Sequence, residues 1–515
     1  MAVAATDRPV AGLSDAVRGR ILAALMMSMA LIALDSTIVA TAVPSIVRQL
    51  GGLENVPWLF SIYLLTQAAT VPLYAKFADM AGRKPVLLMG IAAFVLGSFL
   101  CGVAWNMTTL IAARAIQGIG AGAVQPISMT IVGDLYSVEE RGRVQGYLAS
   151  VWGAAAVLGP TLGGVFTDYV SWRWIFWINL PIGGLAIAML LRNFHERVAR
   201  RSHRIDTAGS LTLTFGCALL ILGLLEGSAW RWTSGRTVAV LGVAVVLLVA
   251  FVLVERRAAE PVLPLWVFRR RTLVVGNLAS FTVGAVVLGL SAYLPTYVQT
   301  VAGTGALVAG FVLASLSIGW PLAASVSGRV YVRIGFRDTA LIGSGFTIAG
   351  TVGYAFLPQT APVWLIAVPG LVVGVGLGFA ASSMVVALQS VVGWDRRAVV
   401  TGSNIFARSI RSAVGVAVIG SIVNTTISSR FAHPPAPIAG ALPAGSNVDS
   451  LALRGGQLPA PVRAFVRTAF YDATHRVFLA LVVVAVLGAL VISFMPRRTT
   501  QLVFDDPDIS APADA

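Results

Sequence analysis

The sequence predicts an all-α membrane protein of 14 transmembrane helices, arranged as two six-helix bundles plus a two-helix insertion. Three observations lead there. Apolar runs of about 18 residues or more recur along nearly the whole chain, each long enough to cross a hydrocarbon core as a helix. Basic clusters punctuate alternate loops. The runs also fall into groups of six, two and six, separated by two strongly basic linkers. A β-barrel would instead show short alternating segments.

The composition agrees. Of 515 residues, 57% are hydrophobic and only 11% charged, which excludes a soluble globule. The net charge of +15 sits in short clusters between spans, where it orients a membrane protein; nucleic-acid binding is not expected. Cys101 and Cys217 both lie in apolar spans and read as small buried hydrophobes. No disulfide framework, metal site or cofactor is expected.

A cytoplasmic N-terminal tail, 1–19, precedes the first bundle, 20–193, whose spans are predicted at 20–42, 56–77, 85–104, 107–133, 145–166 and 174–192. The first of these follows Arg18 and Arg20 like a signal peptide, but it is too long for one and contains Asp35 and Pro44, so it is retained as a span. The inserted pair, within 205–254, spans 206–226 and 237–254. The second bundle, 272–495, has spans at 272–296, 305–327, 338–357, 362–390, 398–427 and 474–495. Its long loop, 429–473, begins rich in Pro, Gly and Ala; the later stretch 459–476 has helical apolar spacing suited to a membrane surface or a solvated connector. The polar tail, 496–515, reads as disordered.

Lys76, Arg83 and Lys84, Arg141 and Arg143, and the clusters at 192–204, 256–271, 329–337 and 396–397 all fall on one side, with both termini. The intervening loops are short and nearly uncharged. Under the positive-inside rule, that side is the cytoplasm and the protein is a multi-pass protein of the cell membrane.

Asp35 opens the functional argument. A carboxylate deep in a span costs upwards of about 2.5 kcal/mol unless it faces protein or water. Two readings remain for it: a protonated side chain bonded to a neighbouring helix, or a proton or cation site. Arg114 raises the same problem in the fourth span and cannot escape by deprotonation, so it needs a partner or a wet cavity. In the fifth span, Pro160 removes a backbone hydrogen bond among glycines that permit a kink and close packing. Counting residues from the span ends puts Asp35, Arg114 and Pro160 roughly 10–14 Å below the same surface, so an Asp35–Arg114 contact is within reach.

Several motifs resemble the major facilitator superfamily. In the loop AKFADMAGRKP, Asp79, Gly82, Arg83 and Lys84 match its signature G-x-x-x-D-R-x-G-R-K, while Ala75 and Met80 depart from it. The resemblance implies a cytoplasmic latch, with Asp134 as the partner of Arg83. RAIQGIGAGAVQP, 114–126, resembles the fourth-span motif whose arginine the family ties to proton coupling. Gly153, Gly159, Pro160, Gly163 and Gly164 match the antiporter motif G-x-x-x-x-x-G-P-x-x-G-G, which implies an exporter. LDSTIVATAVPSI, WRWIFWINLPIGG and LPLWVFRRRTLVVGN narrow the likeness to the fourteen-span drug/proton antiporter family of the DHA2 type, over about 15–495.

That resemblance implies proton-driven export of amphipathic small molecules, multidrug efflux, by alternating access of two bundles. It equally admits a dedicated exporter of a lipid, a siderophore or a self-made antibiotic. No P-loop is visible, so ATP is not expected to drive it, and no enzymatic activity is expected. Substrate, protons and the bilayer are the expected partners, with the chain a monomer. Polar and aromatic side chains at plausible cavity positions are Tyr63, Gln67, Gln125, Trp152, Asn277, Tyr293 and Asn404. Arg408 and Arg411, at i and i+3 of the thirteenth span, would suit an anionic or zwitterionic group if they face the cavity; Arg411 could equally point to the cytoplasmic vestibule.

Overall fold

The computed structural model describes residues 14–51, 55–196, 206–230, 232–258, 261, 263, 265–393, 396–432 and 459–497. Among the described residues there are 15 α-helices and no strand. They are α1 (Asp15–Leu50), α2 (Val56–Ala81), α3 (Arg83–Gly102), α4 (Met107–Leu135), α5 (Val138–Tyr169), α6 (Trp174–Trp177), α7 (Asn179–Asn193), α8 (Thr207–Trp230) and α9 (Gly235–Glu255). There follow α10 (Arg271–Thr296), α11 (Ala306–Ile334), α12 (Phe336–Ala355), α13 (Val363–Ser390), α14 (Arg397–Ala432) and α15 (Ala460–Ser493). By length and composition, 10 stretches of the described residues could cross a membrane, so the chain is a multi-pass membrane protein.

Helix starts are set locally. Asn106 and Ser137 open α4 and α5 with capping boxes completed by Thr109 and Glu140, which satisfy N–H groups that the first turn leaves free. Two turns repeat each other. Gly82 between α2 and α3, at φ 96°, and Gly335 between α11 and α12, at φ 91°, each end one helix and begin the next. A side chain would be strained at that backbone angle, so glycine makes the reversal in a single residue.

The packing repeats as well. In the first half α4 lies against α2 and α3; in the second, α13 lies against α11 and α12. One buried apolar cluster is built from α1 to α5 and α7, with Ala398 of α14 added to it, and a second from α10 to α15. The halves meet along two seams, α5 against α11 and α2 against α14. The paired helices α8 and α9 pack on each other, and α8 also touches both α2 and α14. Arg83 and Arg397 share Asp134, Arg141 donates to Gly133 O, and Tyr331 of α11 donates to Val138 O; these contacts gather at one end of the molecule, hereafter the basic end.

Three segments differ from expectation. The stretch 459–476 is no separate surface helix or connector: from Ala460 it is the beginning of the 34-residue α15. The external loop is correspondingly shorter than 429–473, because α14 runs on to Ala432. The polar turns of α15 are held by specific partners: Arg467 donates to Gln359 O at 2.9 Å, Tyr471 to Leu357 O at 3.0 Å, and Arg430 pairs with Asp472. The sixth predicted span is divided into α6 and α7 at Ile178. Residues 498–515 of the expected tail 496–515, most of the expected N-terminal tail and the stretch 433–458 lie outside the described residues.

Candidate functional site

At the middle of the first half, Asp35 on α1 and Arg114 on α4 are both fully buried and face each other. Arg114 Nη1 lies 2.6 Å from Asp35 Oδ2, and its Nε donates to Leu59 O at 3.2 Å. The guanidinium stacks over the Tyr63 ring, 4.2 Å from its centroid, an arrangement that suits a desolvated cation. Gln117, one turn along α4, closes the cluster. Its Nε2 donates to Asp35 Oδ1 at 2.8 Å, and its Oε1 accepts from Arg114 Nη1 at 2.6 Å. Gln117 also donates to Ser98 Oγ at 2.8 Å, and Asn179 Nδ2 donates to the same oxygen at 3.3 Å. The ion pair is therefore one end of a polar chain crossing α1, α4, α3 and α7.

Such a pair is costly to desolvate and is held by its mutual attraction and its extra hydrogen bonds. The two partners are not equivalent. A carboxylate that loses its cation can take up a proton, whereas a guanidinium cannot shed one.

The glycine-rich stretch of α5 packs against the same helix that carries the acid. A Cβ on Gly159 would sit 2.0 Å from Thr37 Oγ1, and one on Gly163 2.0 Å from Thr41 Oγ1. Thr37, two residues beyond Asp35, donates to Ala155 O at 2.9 Å. Gly153 faces the other half, where a Cβ would lie 3.0 Å from Ser317 O on α11, and nothing lies within 4 Å of such a position on Gly164. The five motif positions therefore do different things, and the Pro160 side chain lies outside the described residues.

At the basic end, Asp79 joins the halves. Its carboxylate accepts from Ala398 N at 3.2 Å and Val399 N at 2.9 Å, capping the start of α14, and pairs with Arg83 Nη2 at 3.0 Å. Arg83 also reaches Asp134, with 3.3 Å between Nε and Oδ2, and Asp134 pairs with Arg397 of α14. Lys84 is turned to its own half, its backbone N–H donating to Glu196 and its ammonium to Leu191 O. Gly82 makes the single-residue turn between α2 and α3. Where the family signature has its first glycine this chain has Ala75, and the space is found opposite: a Cβ on Gly402 of α14 would lie 2.4 Å from Ala75 Cβ.

Burial raises the Asp79 carboxyl to about 7, against the opposing pull of Arg83 and the two α14 N–H groups; Asp134 adds to the rise. In a separated state, where water reaches it, Asp79 returns to the ordinary carboxylate range. Closure then takes up a proton: it is favoured at low pH and loses that advantage as pH rises through about 7. Spin-label distances across the basic end should lengthen between acid and neutral pH, and the Asp79→Asn variant should show a smaller dependence, the remainder coming from Asp134 and Glu196, which burial raises as well. Shortening over the same range would contradict the assignment.

The remaining predicted cavity residues separate. Tyr63 belongs to the ion pair. Asn404 donates to Ser280 Oγ at 2.7 Å and Asn277 Oδ1 at 3.2 Å, beside a small pocket lined by Met129, Thr401 and Ile405. Gln67, Gln125 and Tyr293 are half-buried and Trp152 is exposed, with none brought to the ion pair. The side chains of Arg408 and Arg411 lie outside the described residues. Sequence reasoning misses Gln117 and Arg397 as site residues. Gln117 has a readable signal, its i+3 spacing from Arg114 on one helical face. Ser98, Asn179 and Thr37 have none, being isolated small polar residues in apolar helices.

Comparison with known proteins adds the ancestry. The Major Facilitator Superfamily pattern matches residues 25–416. The chain is 34% identical to Multidrug resistance protein 3 of Bacillus subtilis over 485 residues, which cover 92% of this chain and 94% of the relative. It is 30% identical to Multidrug transporter protein MdtP of the same organism, covering 93% of each. Among solved structures, the human organic anion transporter MFSD10 superposes with a TM-score of 0.60 at 15% identity, covering 92% of this chain and 100% of that one, a likeness of fold.

Proposed function

The chain belongs to the major facilitator superfamily, and on that premise we propose that it exports amphipathic small molecules across the cell membrane in exchange for protons. The observation that carries this reading is the buried Asp35–Arg114–Gln117 cluster, packed beneath the glycine-rich face of α5. We take α6 and α7 as one span and each other long helix as one, which makes 14, with both termini cytoplasmic by the placement of the basic loops. On that orientation the Asp79 and Asp134 contacts close the cytoplasmic side, and the described state is the outward-facing one.

The cycle follows from the chemistry of the pair. Asp35, wetted from outside, takes up a proton and weakens its hold on Arg114; the halves rock, the latch opens, and the proton leaves to the cytoplasm as cargo is taken up. One pH unit is worth about 1.4 kcal/mol and 100 mV about 2.3 kcal/mol per charge, together about 3.7 kcal/mol, enough for several-hundredfold accumulation per net proton; a cation exchanged for a single proton moves no net charge and draws on the pH term alone. Multidrug substrates fit the names of the Bacillus relatives. The protein is taken to work as a monomer.

The test uses inverted vesicles with an imposed proton gradient. A cationic amphipathic dye should accumulate and be released on addition of an uncoupler. Unlabelled amphipathic cations should compete; competition by anions as well would bring Arg408 and Arg411 into the site. Dye accumulation unaffected by the uncoupler would remove proton coupling. Competition by one narrow chemical class alone would instead favour a dedicated exporter of a lipid, siderophore or antibiotic.

A further inference from the structure

The inserted pair carries a charge that the proposed cycle does not use. Glu226 is the only charged residue of α8 and lies about one turn from the end of that helix. It is 8% exposed, yet among the described residues it makes no hydrogen bond and no ion pair. A carboxylate so placed in an apolar helix needs a cation or a donor. Arg236, at the start of α9, acts on it electrostatically but lies outside ion-pair distance. Its guanidinium is stacked instead over Trp230, 3.8 Å from the ring centroid.

The surroundings suit the headgroup layer of a bilayer. Leu213 and Cys217 share an apolar cluster with Val399, whose N–H reaches Asp79, while Ile221 lies further along against Ala68. Helix α8 therefore runs away from the basic end, and its turn into α9 lies at the opposite one. Trp230 and Trp232 belong to an interface there. Trp232 is exposed and rests on Gly227, where a Cβ would lie 2.6 Å from its ring. Ser234 caps α9, accepting from Thr237 N at 3.2 Å, and the N–H groups of Gly235 and Arg236 have no acceptor within the helix. That helix start favours an anion. Acid and base thus stand near each other with neither bonded to the other. Beyond the turn, α9 exposes Val238, Val246 and Val249 on one face, and a Cβ on Gly242 of that face would meet no atom within 4 Å.

We propose that the turn between α8 and α9 binds the headgroup of an ethanolamine phospholipid, its ammonium on Glu226 and its phosphate on Arg236 and the start of α9. The primary ammonium supplies the N–H donors that Glu226 lacks, and the phosphate takes up the guanidinium and the free N–H groups of the first turn. The acyl chains follow the open face of α9. A choline headgroup has no N–H to give and would leave Glu226 without a hydrogen bond. An anionic glycerol headgroup would set no cation against it. The site goes beyond the export reading and needs only that the chain spans a bilayer.

The experiment uses the full chain in vesicles of mixed phospholipids. A trace of ethanolamine phospholipid with a diazirine close to its glycerol is photolysed, and adducts that excess unlabelled ethanolamine lipid suppresses are mapped. They are expected at the α8–α9 turn. Choline lipid should compete about tenfold less well, as on losing a hydrogen bond to a charged group, and anionic glycerol lipid less well again. Glu226→Gln removes a buried charge and should fold; it should lower the labelling about tenfold and abolish the preference for ethanolamine over choline. Equal competition by the two zwitterionic lipids in the wild type, strongest competition by the anionic one, or labelling that no lipid suppresses would each overturn the site. The competition series is read in the wild-type chain, so it decides the matter even if the variant does not fold. None of these readouts involves transport: a chain that exports nothing leaves the site standing, and loss of the site leaves the export reading standing.

Discussion

Asp35→Asn is expected to abolish gradient-driven export while the protein still reaches the membrane, because an amide cannot alternate between protonated and ionised forms. The structure adds a stability consequence of unusual sign. Replacing Asp35 leaves the buried Arg114 guanidinium without its counter-charge, and breaking a buried pair in this way costs about 3–5 kcal/mol. Replacing Arg114 by Gln leaves an acid that can neutralise itself, so the loss should be smaller. The double variant Asp35→Asn/Arg114→Gln should recover part of the lost thermal stability and none of the transport. Thermal unfolding in detergent orders the three. An Arg114→Gln variant less stable than Asp35→Asn would show that the charge asymmetry is wrong.

Gly142→Leu is the second large effect. The helices α5 and α11 approach so closely that a Cβ at this position would lie 2.4 Å from Gly328 N and 2.5 Å from Gly328 Cα, both backbone atoms that cannot swing aside. Overpacking of this kind costs about 1–3 kcal/mol, enough to shift a two-state equilibrium by about 5- to 150-fold against the state in which the helices touch. The variant should fold, hold the basic end apart, and lose most of its transport. Gly345→Leu, with nothing within 4 Å, should behave like wild type and controls for the added side chain. Spin-label distances across the basic end distinguish this block from a general loss of structure. An unchanged distance distribution in Gly142→Leu would mean that contact of α5 with α11 is not what closes this end.

Much of the architecture is legible from pattern alone, and the reasons are physical. Helix positions follow from the length needed to cross hydrocarbon, and the single-residue turn at Gly82 from a motif whose glycine has no substitute. The pairing of Asp35 with Arg114 is approachable because two charges at one depth in a membrane have few other partners. What escapes are features that depend on neighbours distant in sequence. The start of α15 is misplaced because its Arg, Asp and His residues suit a surface helix or a connector until the partners on the α12–α13 connection and α14 are seen. Gln117 is a different kind of miss, since its spacing from Arg114 is plain in the sequence. The fit of Gly402 to Ala75 is invisible there, since a departure from a signature reads as a defect until the compensating residue on another helix is found.

The central claim is that the carboxyl of Asp35 carries the exchanged proton, and proton release on cargo binding tests it most directly. In weakly buffered solution with a pH-indicator dye, the purified wild-type protein should release about one proton per cationic cargo molecule bound, as expected when one titrating group is linked to binding. Asp35→Asn should bind cargo and release none when the measurement is made well above pH 7, where Asp79 holds no proton to give up. Release from Asp35→Asn equal to that of the wild type would place the exchanged proton elsewhere and contradict the account.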